Sequence, residues 1–131
     1  MTRREARETA FALLFENTFS DEGIASVIAD AQEAETLSPN DFAISLAMGA
    51  AEKMEEIDQK ISDASHKWSV RRISRVSLSV LRLAVYEILF LDEIPVSVSI
   101  NEAVELTKKY GGEEEAAFVN GVLGGIVKVA E

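Results

Sequence analysis

Residues 76–91 read VSLSVLRLAVYEILFL, a segment that is apolar almost all the way around a helical wheel. The polar exceptions are Ser77, Ser79, Arg82 and Glu87. A helix that is apolar on most sides is packed by neighbours on several faces. We therefore predict that this segment is the central helix and that other helices surround it.

Helix start signals occur on both sides of this segment. TRRE at residues 2–5 and SINE at residues 99–102 fit the capping box, and SPND at residues 38–41 places proline at a first helical position. Residues 42–65 predict one long helix or two nearly continuous ones, and residues 113–128 predict the last helix. The predicted buried stripe of the first helix is Ala6, Ala10, Phe11, Leu14, Phe15 and Phe19.

The composition indicates an all-α intracellular protein. The chain has 131 residues, 47% of them hydrophobic, with two prolines and few consecutive β-branched residues. It has no cysteine, a single histidine (His66) and no glycine-rich phosphate loop, so we expect no disulfide, metal, cofactor or enzyme activity. Without a long apolar run or a signal peptide, we expect a soluble cytoplasmic protein that does not enter membranes.

The net charge of −10 is distributed unevenly along the chain. Residues 1–7 carry a net +2 and residues 59–82 a net +5, whereas residues 8–58 carry −11 and residues 83–131 carry −6. Two basic segments therefore lie in an otherwise acidic chain. The acidic excess suits a basic partner, and the basic segments suit an anion.

The basic residues admit two interpretations each. Arg3 and Arg4 fall in the first helical turn, where the helix dipole disfavours positive charge, and Arg7 follows one turn later. These arginines either hold phosphate groups or form a frayed, solvated terminus. A later group, Arg71, Arg72 and Arg75 with Lys67 before it, either extends an electropositive surface or solubilises a helix junction.

Two further residues, which lie in or beside apolar segments, need an explanation. Glu87 is a carboxylate within the central helix and must be paired, hydrogen-bonded or exposed in an interface. We predict a structural hydrogen bond, with a capping segment or Arg82 as the candidate partner. Trp68 is interpreted as a core residue rather than a platform for a base.

The chain resembles the NusB family of bacterial transcription antitermination factors. The resemblance rests on RREAR near the start, KWSVRRISRVSLSVLRLAVYE, IPVSVSINEAVELTKKYG and FVNGVL, which occur in the expected order. It implies one domain over residues 1–131 with about seven helices in two small packed bundles, divided near residues 66 and 67.

The resemblance also implies a function without catalysis. Members of the family bind the boxA element of ribosomal RNA leader transcripts, as single-stranded RNA, together with the small ribosomal protein NusE. Other Nus factors and RNA polymerase join indirectly, and premature termination is suppressed. A protein-interaction module, or a relative of the NusB-like domain of ribosomal RNA methyltransferases, is the alternative. Both a monomer and a homodimer are compatible with the sequence.

The family pattern assigns RNA contacts to Arg3, Arg4, Arg7, Glu114 and Phe118. It assigns the partner-binding side to the helix that carries Glu87 and Arg82.

Three positions depart from the family pattern. Glu5 and Ala117 stand where the family often has bases, and Gly124 stands where an acid is usual. Because the first two departures remove positive charge, we predict weaker RNA binding by the protein alone.

Overall fold

The computed structural model describes residues 2–35, 41–66 and 70–130. Within these ranges the chain forms seven α-helices and one short 3₁₀ helix, and it forms no strand. The all-α prediction is confirmed. The helices are α1 (Arg3–Asn17), α2 (Ile24–Glu33), α3 (Asp41–Glu52), α4 (Met54–Ser65), the 3₁₀ helix (Val70–Arg72), α5 (Arg75–Phe90), α6 (Val96–Gly111) and α7 (Glu113–Ala130).

Helix α5 is the central helix, as the sequence predicts. It packs against α1, α3, α4, α6 and α7. Leu81 and Val85 are fully buried, and the two serines of its first half, Ser77 and Ser79, are buried with them. Full burial of a leucine or valine side chain contributes about 1.5–3 kcal/mol. The apolar contacts of α5 therefore fix the positions of the five helices around it.

The buried apolar side chains form one continuous cluster. It includes Leu14 of α1, Leu46 of α3, Ile61 of α4 and Leu123 of α7, each almost completely buried. Because this cluster runs through both halves of the chain, the two halves share a core. The division into two bundles near residues 66 and 67 stays a prediction.

The capping box at the start of α1 is confirmed, but the predicted buried stripe is too long. The Glu5 N–H donates to Thr2 Oγ1 at 3.1 Å, and the Thr2 N–H donates to the Glu5 carboxylate at 3.0 Å. The hydrogen bond from the Thr2 N–H, followed by the interaction with the Thr2 side chain, lowers the pKa of the Glu5 carboxyl group. The prediction for Phe19 is wrong, because α1 ends at Asn17 and the Phe19 ring is 59% exposed.

The start predicted for α6 is also wrong. The helix begins at Val96, directly after Pro95. The ring of Pro95 fixes its φ at −59°, which suits the residue that immediately precedes a helix. Ser99 therefore lies inside the helix rather than at its cap, and its hydroxyl donates to the buried carboxylate of Glu87.

The long segment predicted at residues 42–65 forms two helices, α3 and α4, which meet at Lys53. Residues 38–40 of the predicted start signal, together with Lys67 and Trp68, lie outside the described residues.

Neither a membrane span nor a metal cluster occurs in the described ranges. None of the helices there combines the length and apolar character needed to cross a bilayer. The same ranges hold no group of three or more histidine, aspartate or glutamate side chains that could bind a metal ion.

Helix α7 contains three glycines, and its packing does not require the two at positions 121 and 124. Val119, Leu123 and Ile126 face the core and are buried. A Cβ at Gly121 or Gly124 would meet no heavy atom within 4 Å, and these two positions are exposed. Gly121 and Gly124 therefore weaken the helix without making room for a neighbouring element, whereas Gly125 lies against Ala64 of α4.

We predict that Gly124→Ala raises the free energy of unfolding by up to about 1 kcal/mol, because alanine loses less backbone entropy in a helix. Gly49→Ala is the contrasting variant, since its Cβ would overlap the Tyr86 ring, which stacks on Phe90. Overpacking of this kind lowers stability by about 1–3 kcal/mol. Urea denaturation of both variants measures the two changes, and equal effects would contradict the packing described for these glycines.

Candidate nucleic-acid interface

Arg3 is the most available of the three arginines near the N-terminus. It is exposed at the start of α1, and its guanidinium carbon lies 4.3 Å from the centroid of the Phe42 ring. No described carboxylate forms an ion pair with it. The aromatic contact holds the guanidinium without neutralising its charge. Arg3 can therefore bind an anion from solvent.

Arg4 is exposed but paired. Its Nε donates to one carboxylate oxygen of Glu102 at 3.1 Å, and its Nη2 donates to the other at 2.9 Å. The side chain of Arg4 is 73% exposed, and the hydrogen bonds to Glu102 raise its pKa. Because a guanidinium has five N–H donors, the pair leaves donors free for a phosphate oxygen. Glu102 thus orients Arg4 while reducing the local positive charge.

Arg7 is buried and belongs to the interior of the protein. It is 6% exposed, its Nε lies 3.0 Å from both oxygens of Glu87, and its Nη2 lies 2.9 Å from one of them. Ser99 donates to the same carboxylate at 2.9 Å. These contacts engage the Arg7 guanidinium within the protein, so Arg7 fixes α1 to α5 and α6. Direct contact between Arg7 and RNA stays a prediction.

The prediction that Glu87 is hydrogen-bonded within the protein is confirmed, but the candidate partner Arg82 is wrong. Glu87 is 1% exposed and is paired with Arg7 and Ser99, not with Arg82. Arg82 makes its own two-point pair with Asp58 of α4, with both N–O distances at 2.9 Å. The carboxylate of Glu87 is therefore internal and presents no surface to a partner. A partner-binding role for Arg82 stays a prediction.

A second polar contact joins α1 and α6 further along both helices. Lys109 donates to Glu8 at 2.6 Å, and the Tyr110 hydroxyl donates to the same oxygen. The bond from Lys109 and then that from Tyr110 lower the pKa of Glu8, and the bond to Glu8 raises the pKa of Tyr110. No local sequence pattern indicates these contacts, because the partners are about a hundred positions apart.

A cleft of about 270 Å³ lies between α1 and α6 and is lined by these groups. Its charged lining consists of three bases and three acids, which are Arg4, Arg7, Lys109, Glu8, Glu102 and Glu105. The cleft therefore offers much less positive potential than the arginine-rich sequence suggests.

The predicted contacts on α7 lie apart from Arg3 and Arg4. Glu114 is exposed in the first turn of α7, and Phe118 is half-buried one turn later. The neighbouring residue Glu115 accepts hydrogen bonds from Ser74 and Ser77 at the start of α5. The first turn of α7 is thereby attached to the start of α5.

The start of α5 lies close to the C-terminal end of α1. Arg75, the first residue of α5, lies over the ring of Phe19, which follows α1. Helix α1 has 15 residues and is about 22 Å long. The candidate interface therefore has two parts. One is at the start of α1, and the other is near its end, where α5 and α7 begin.

Comparison with known proteins supports the family assignment. The family model described as NusB family matches residues 4–128. The transcription antitermination protein NusB of Clostridium botulinum (strain Kyoto / Type A2) is 40% identical, covering 97% of this chain and 100% of the relative. The chain belongs to the NusB family.

Solved structures share the NusB fold with this chain. The structure of T. maritima NusB gives a TM-score of 0.87 at 39% identity, over 98% of this chain and 92% of that one. A chain in the crystal structure of antitermination factors NusB and NusE in complex with dsRNA gives a TM-score of 0.86 at 32% identity. That match covers 97% of this chain and 96% of the other. The helical architecture described above is therefore that of NusB structures.

We predict that Glu87→Ala lowers the free energy of unfolding by about 3–5 kcal/mol, because it leaves the guanidinium of Arg7 buried without a counter-charge. The matched control is Glu105→Ala, which removes an exposed carboxylate that lies 3.6 Å from Lys108. Exposed pairs of this kind contribute about 0.5 kcal/mol or less. Chemical denaturation measures the free energy of unfolding of both variants.

The double variant Arg7→Met/Glu87→Leu separates charge burial from packing. Replacing both members of a buried ion pair by apolar residues is often neutral, so the double variant is expected to recover most of the stability that Glu87→Ala removes. A decrease as large as that of Glu87→Ala would show that the pair is not the cause.

The contact of Glu8 with Lys109 and Tyr110 predicts a contribution to stability that depends on pH. Because folding lowers the pKa of Glu8, its contribution is present above the ordinary glutamate pKa of about 4.3 and is lost as the pH falls below it. Glu8→Gln is expected to be less stable at neutral pH, by about 1 kcal/mol or less, and to lose less stability on acidification. Urea denaturation at several pH values tests this, and parallel profiles for the two proteins would contradict it.

Proposed function

We propose that this protein is a transcription antitermination factor that binds RNA together with a NusE-type ribosomal protein and catalyses no reaction. The observation that carries the proposal is membership of the NusB family over residues 4–128. The similarity to a chain in a complex of NusB, NusE and dsRNA supports both partners. The finer proposal is that the RNA is the boxA element of ribosomal RNA leaders, bound as a single strand. Other Nus factors and RNA polymerase would join indirectly, in the cytoplasm.

Phosphate contacts come from Arg3 and Arg4 in this proposal. Arg3 is exposed and free of a described carboxylate, and Arg4 keeps free donors despite its pair with Glu102. Such contacts position the RNA and make its affinity depend on salt. Arg7 acts through α1, because its buried pair with Glu87 holds the helix that carries the other two arginines.

Base recognition belongs to the start of α7. Phe118 is half-buried, so its ring is held by the core while part of it remains open for stacking. Exposed Gly121, one turn later, adds no side chain beside the ring. Single-stranded RNA is commonly recognised through an unstacked base on an aromatic ring. Glu114 lies close by and can accept hydrogen bonds from a base amino group.

The charge distribution gives the protein partner a role in RNA binding. Residues 8–58 carry a net −11, which repels RNA and attracts a basic protein. The pairing of Arg4 with Glu102 and the burial of Arg7 reduce the positive potential at the start of α1 further. A basic partner bound to the acidic residues of segment 8–58 would offset this repulsion. We therefore propose that NusE increases the affinity for RNA.

We predict that Arg3→Gln/Arg4→Gln weakens binding to a boxA RNA and lowers the slope of log K against log[salt]. The expected change is about 0.7 for each phosphate that the variant no longer neutralises. Arg7 stays unchanged because its replacement would affect folding. The matched control is Lys53→Gln/Lys60→Gln, which removes the same charge from a surface rich in Glu and Asp side chains. Fluorescence anisotropy at two salt concentrations, with and without NusE, measures both variants.

Three RNA probes complete the test: the boxA strand, a scrambled strand and a duplex. Preference for the boxA strand over the scrambled strand supports the finer proposal, and preference for the duplex contradicts it. Unchanged affinity and salt slope in the arginine variant would exclude Arg3 and Arg4 from the interface.

The alternative function is a protein-interaction module with little RNA affinity of its own. The carboxylates beside Arg4 and Arg7 and the net charge of −11 over residues 8–58 favour this alternative. NusE binding without any gain in boxA affinity would identify this function. Sedimentation of the free protein at several concentrations tests the further proposal of a homodimer that covers the RNA-binding residues.

A further inference from the structure

The carboxylate of Glu102 lies between the two paired arginines of α1. It holds Arg4 by a two-point contact, with N–O distances of 3.1 and 2.9 Å, and it also lies 4.0 Å from Nη1 of Arg7. The side chain of Arg4 is 73% exposed, whereas that of Glu102 is only 18% exposed. An exposed arginine at the start of α1 is therefore tied to a largely covered acid on α6.

The charges of this cluster cancel before any ligand binds. Arg4 and Arg7 supply two positive charges, and Glu87 and Glu102 supply two negative ones. A phosphate that contacts Arg4 therefore brings the cluster to a net negative charge and lies beside the carboxylate of Glu102. Because like charges at such short distances repel each other, Glu102 opposes the contact. Arg3 has no carboxylate partner among the described residues, so a phosphate at Arg3 meets no such opposition.

Arg7 offers Glu102 a second counter-charge. The buried pair with Glu87 engages Nε and Nη2 of Arg7, and Nη1 is the atom that lies 4.0 Å from Glu102. When a phosphate binds Arg4, the carboxylate of Glu102 can remain beside Arg7 and does not lose every partner. A largely covered carboxylate without any partner would be costly. Arg4 can therefore exchange one anion for another while α1 and α6 stay folded.

We propose that Glu102 competes with RNA phosphate for Arg4 and thereby limits the affinity of this protein for RNA. The inference rests on the proposed function, in which Arg3 and Arg4 contact the phosphates. In the free protein Glu102 occupies the Nε and Nη2 donors of Arg4, and a bound phosphate either displaces the carboxylate or shares the guanidinium with it. The opposite role would be that Glu102 positions Arg4 for the phosphate. The cancelled charge of the cluster favours competition, and the two roles predict opposite effects of removing the carboxylate.

The test uses Glu102→Gln in the full chain with NusE bound. Glutamine keeps the size of the side chain and removes its charge, and a thermal melt checks that the fold is intact. The matched control is Glu105→Gln, which removes one charge from the same helix at an exposed position 3.6 Å from Lys108. The probe is a boxA RNA, and fluorescence anisotropy at several salt concentrations gives the affinity and the salt slope of each protein.

The expected result is tighter RNA binding by Glu102→Gln. The affinity should rise by about two- to fivefold, the factor that corresponds to the loss of one competing ion pair at the surface. The salt slope should become steeper by about 0.7, because the variant neutralises one further phosphate. Glu105→Gln should change both quantities less, since Glu105 does not occupy Arg4. In an Arg4→Gln background the gain from Glu102→Gln should disappear, because the two residues act through one contact.

A measurement on the unaltered protein tests the inference without any change at Glu102. The Nε–H of Arg4 donates to Glu102, so its nitrogen NMR signal, assigned by its absence in Arg4→Gln, reports this bond. The signal should shift when boxA RNA saturates the protein with NusE bound. An unshifted signal would show that Glu102 keeps Arg4, and it would overturn the inference.

The remaining outcomes distinguish this inference from the function on which it rests. Weaker binding by Glu102→Gln assigns Glu102 to the positioning of Arg4 and overturns the inference, and unchanged binding overturns it as well. An equal gain in Glu105→Gln, or a gain that persists in the Arg4→Gln background, also overturns it, because net charge would then be the cause. Each of these outcomes leaves the proposed function standing. Absence of wild-type RNA binding with NusE present overturns the proposed function itself and the inference with it.

Discussion

The buried pair of Arg7 and Glu87 is the interaction on which the arrangement of the helices depends. It joins α1 to α5, and the hydroxyl of Ser99 adds α6 to the same carboxylate. Removing either charge from water costs several kcal/mol, which the short distances and the extra hydrogen bond offset only in this geometry. Apolar contacts alone would tolerate small shifts of α1 along the core. The ion pair tolerates only much smaller shifts of α1. It therefore determines where the exposed Arg3 and Arg4 lie on the surface.

The three arginines of α1 lie in three different environments. Arg3 lies against an aromatic ring, Arg4 is held by Glu102 at the surface, and Arg7 is buried. Their spacing explains the difference, because Arg7 lies four positions before Phe11 and seven before Leu14, on the apolar stripe of α1. An arginine count from the sequence treats the three as equal. The structure shows that the positive charge available to an anion is smaller than that count.

Local signals predicted most of the fold. The all-round apolar character of residues 76–91 identified the central helix, and the capping box at residues 2–5 identified the start of α1. The prediction for the start of α6 is wrong. The motif at residues 99–102 fits a capping box, but the helix begins at Val96 after Pro95, and the Ser99 hydroxyl donates to Glu87. Sequence patterns within one helix could not supply the partner of Glu87, since that partner lies 80 positions away on another helix.

One signal in the sequence could have paired the two buried charges. Arg7 stands on the apolar stripe of the first helix, and Glu87 stands within an apolar central helix. A charge in such a position is stable only when a counter-charge or several hydrogen bonds reach it. Two helices that each carry one such charge, of opposite sign, satisfy the requirement by packing against each other. The same reasoning leaves Arg71 and Arg72 outside the core, because neither has a buried carboxylate to meet among the described residues, and so their charges remain available at the surface.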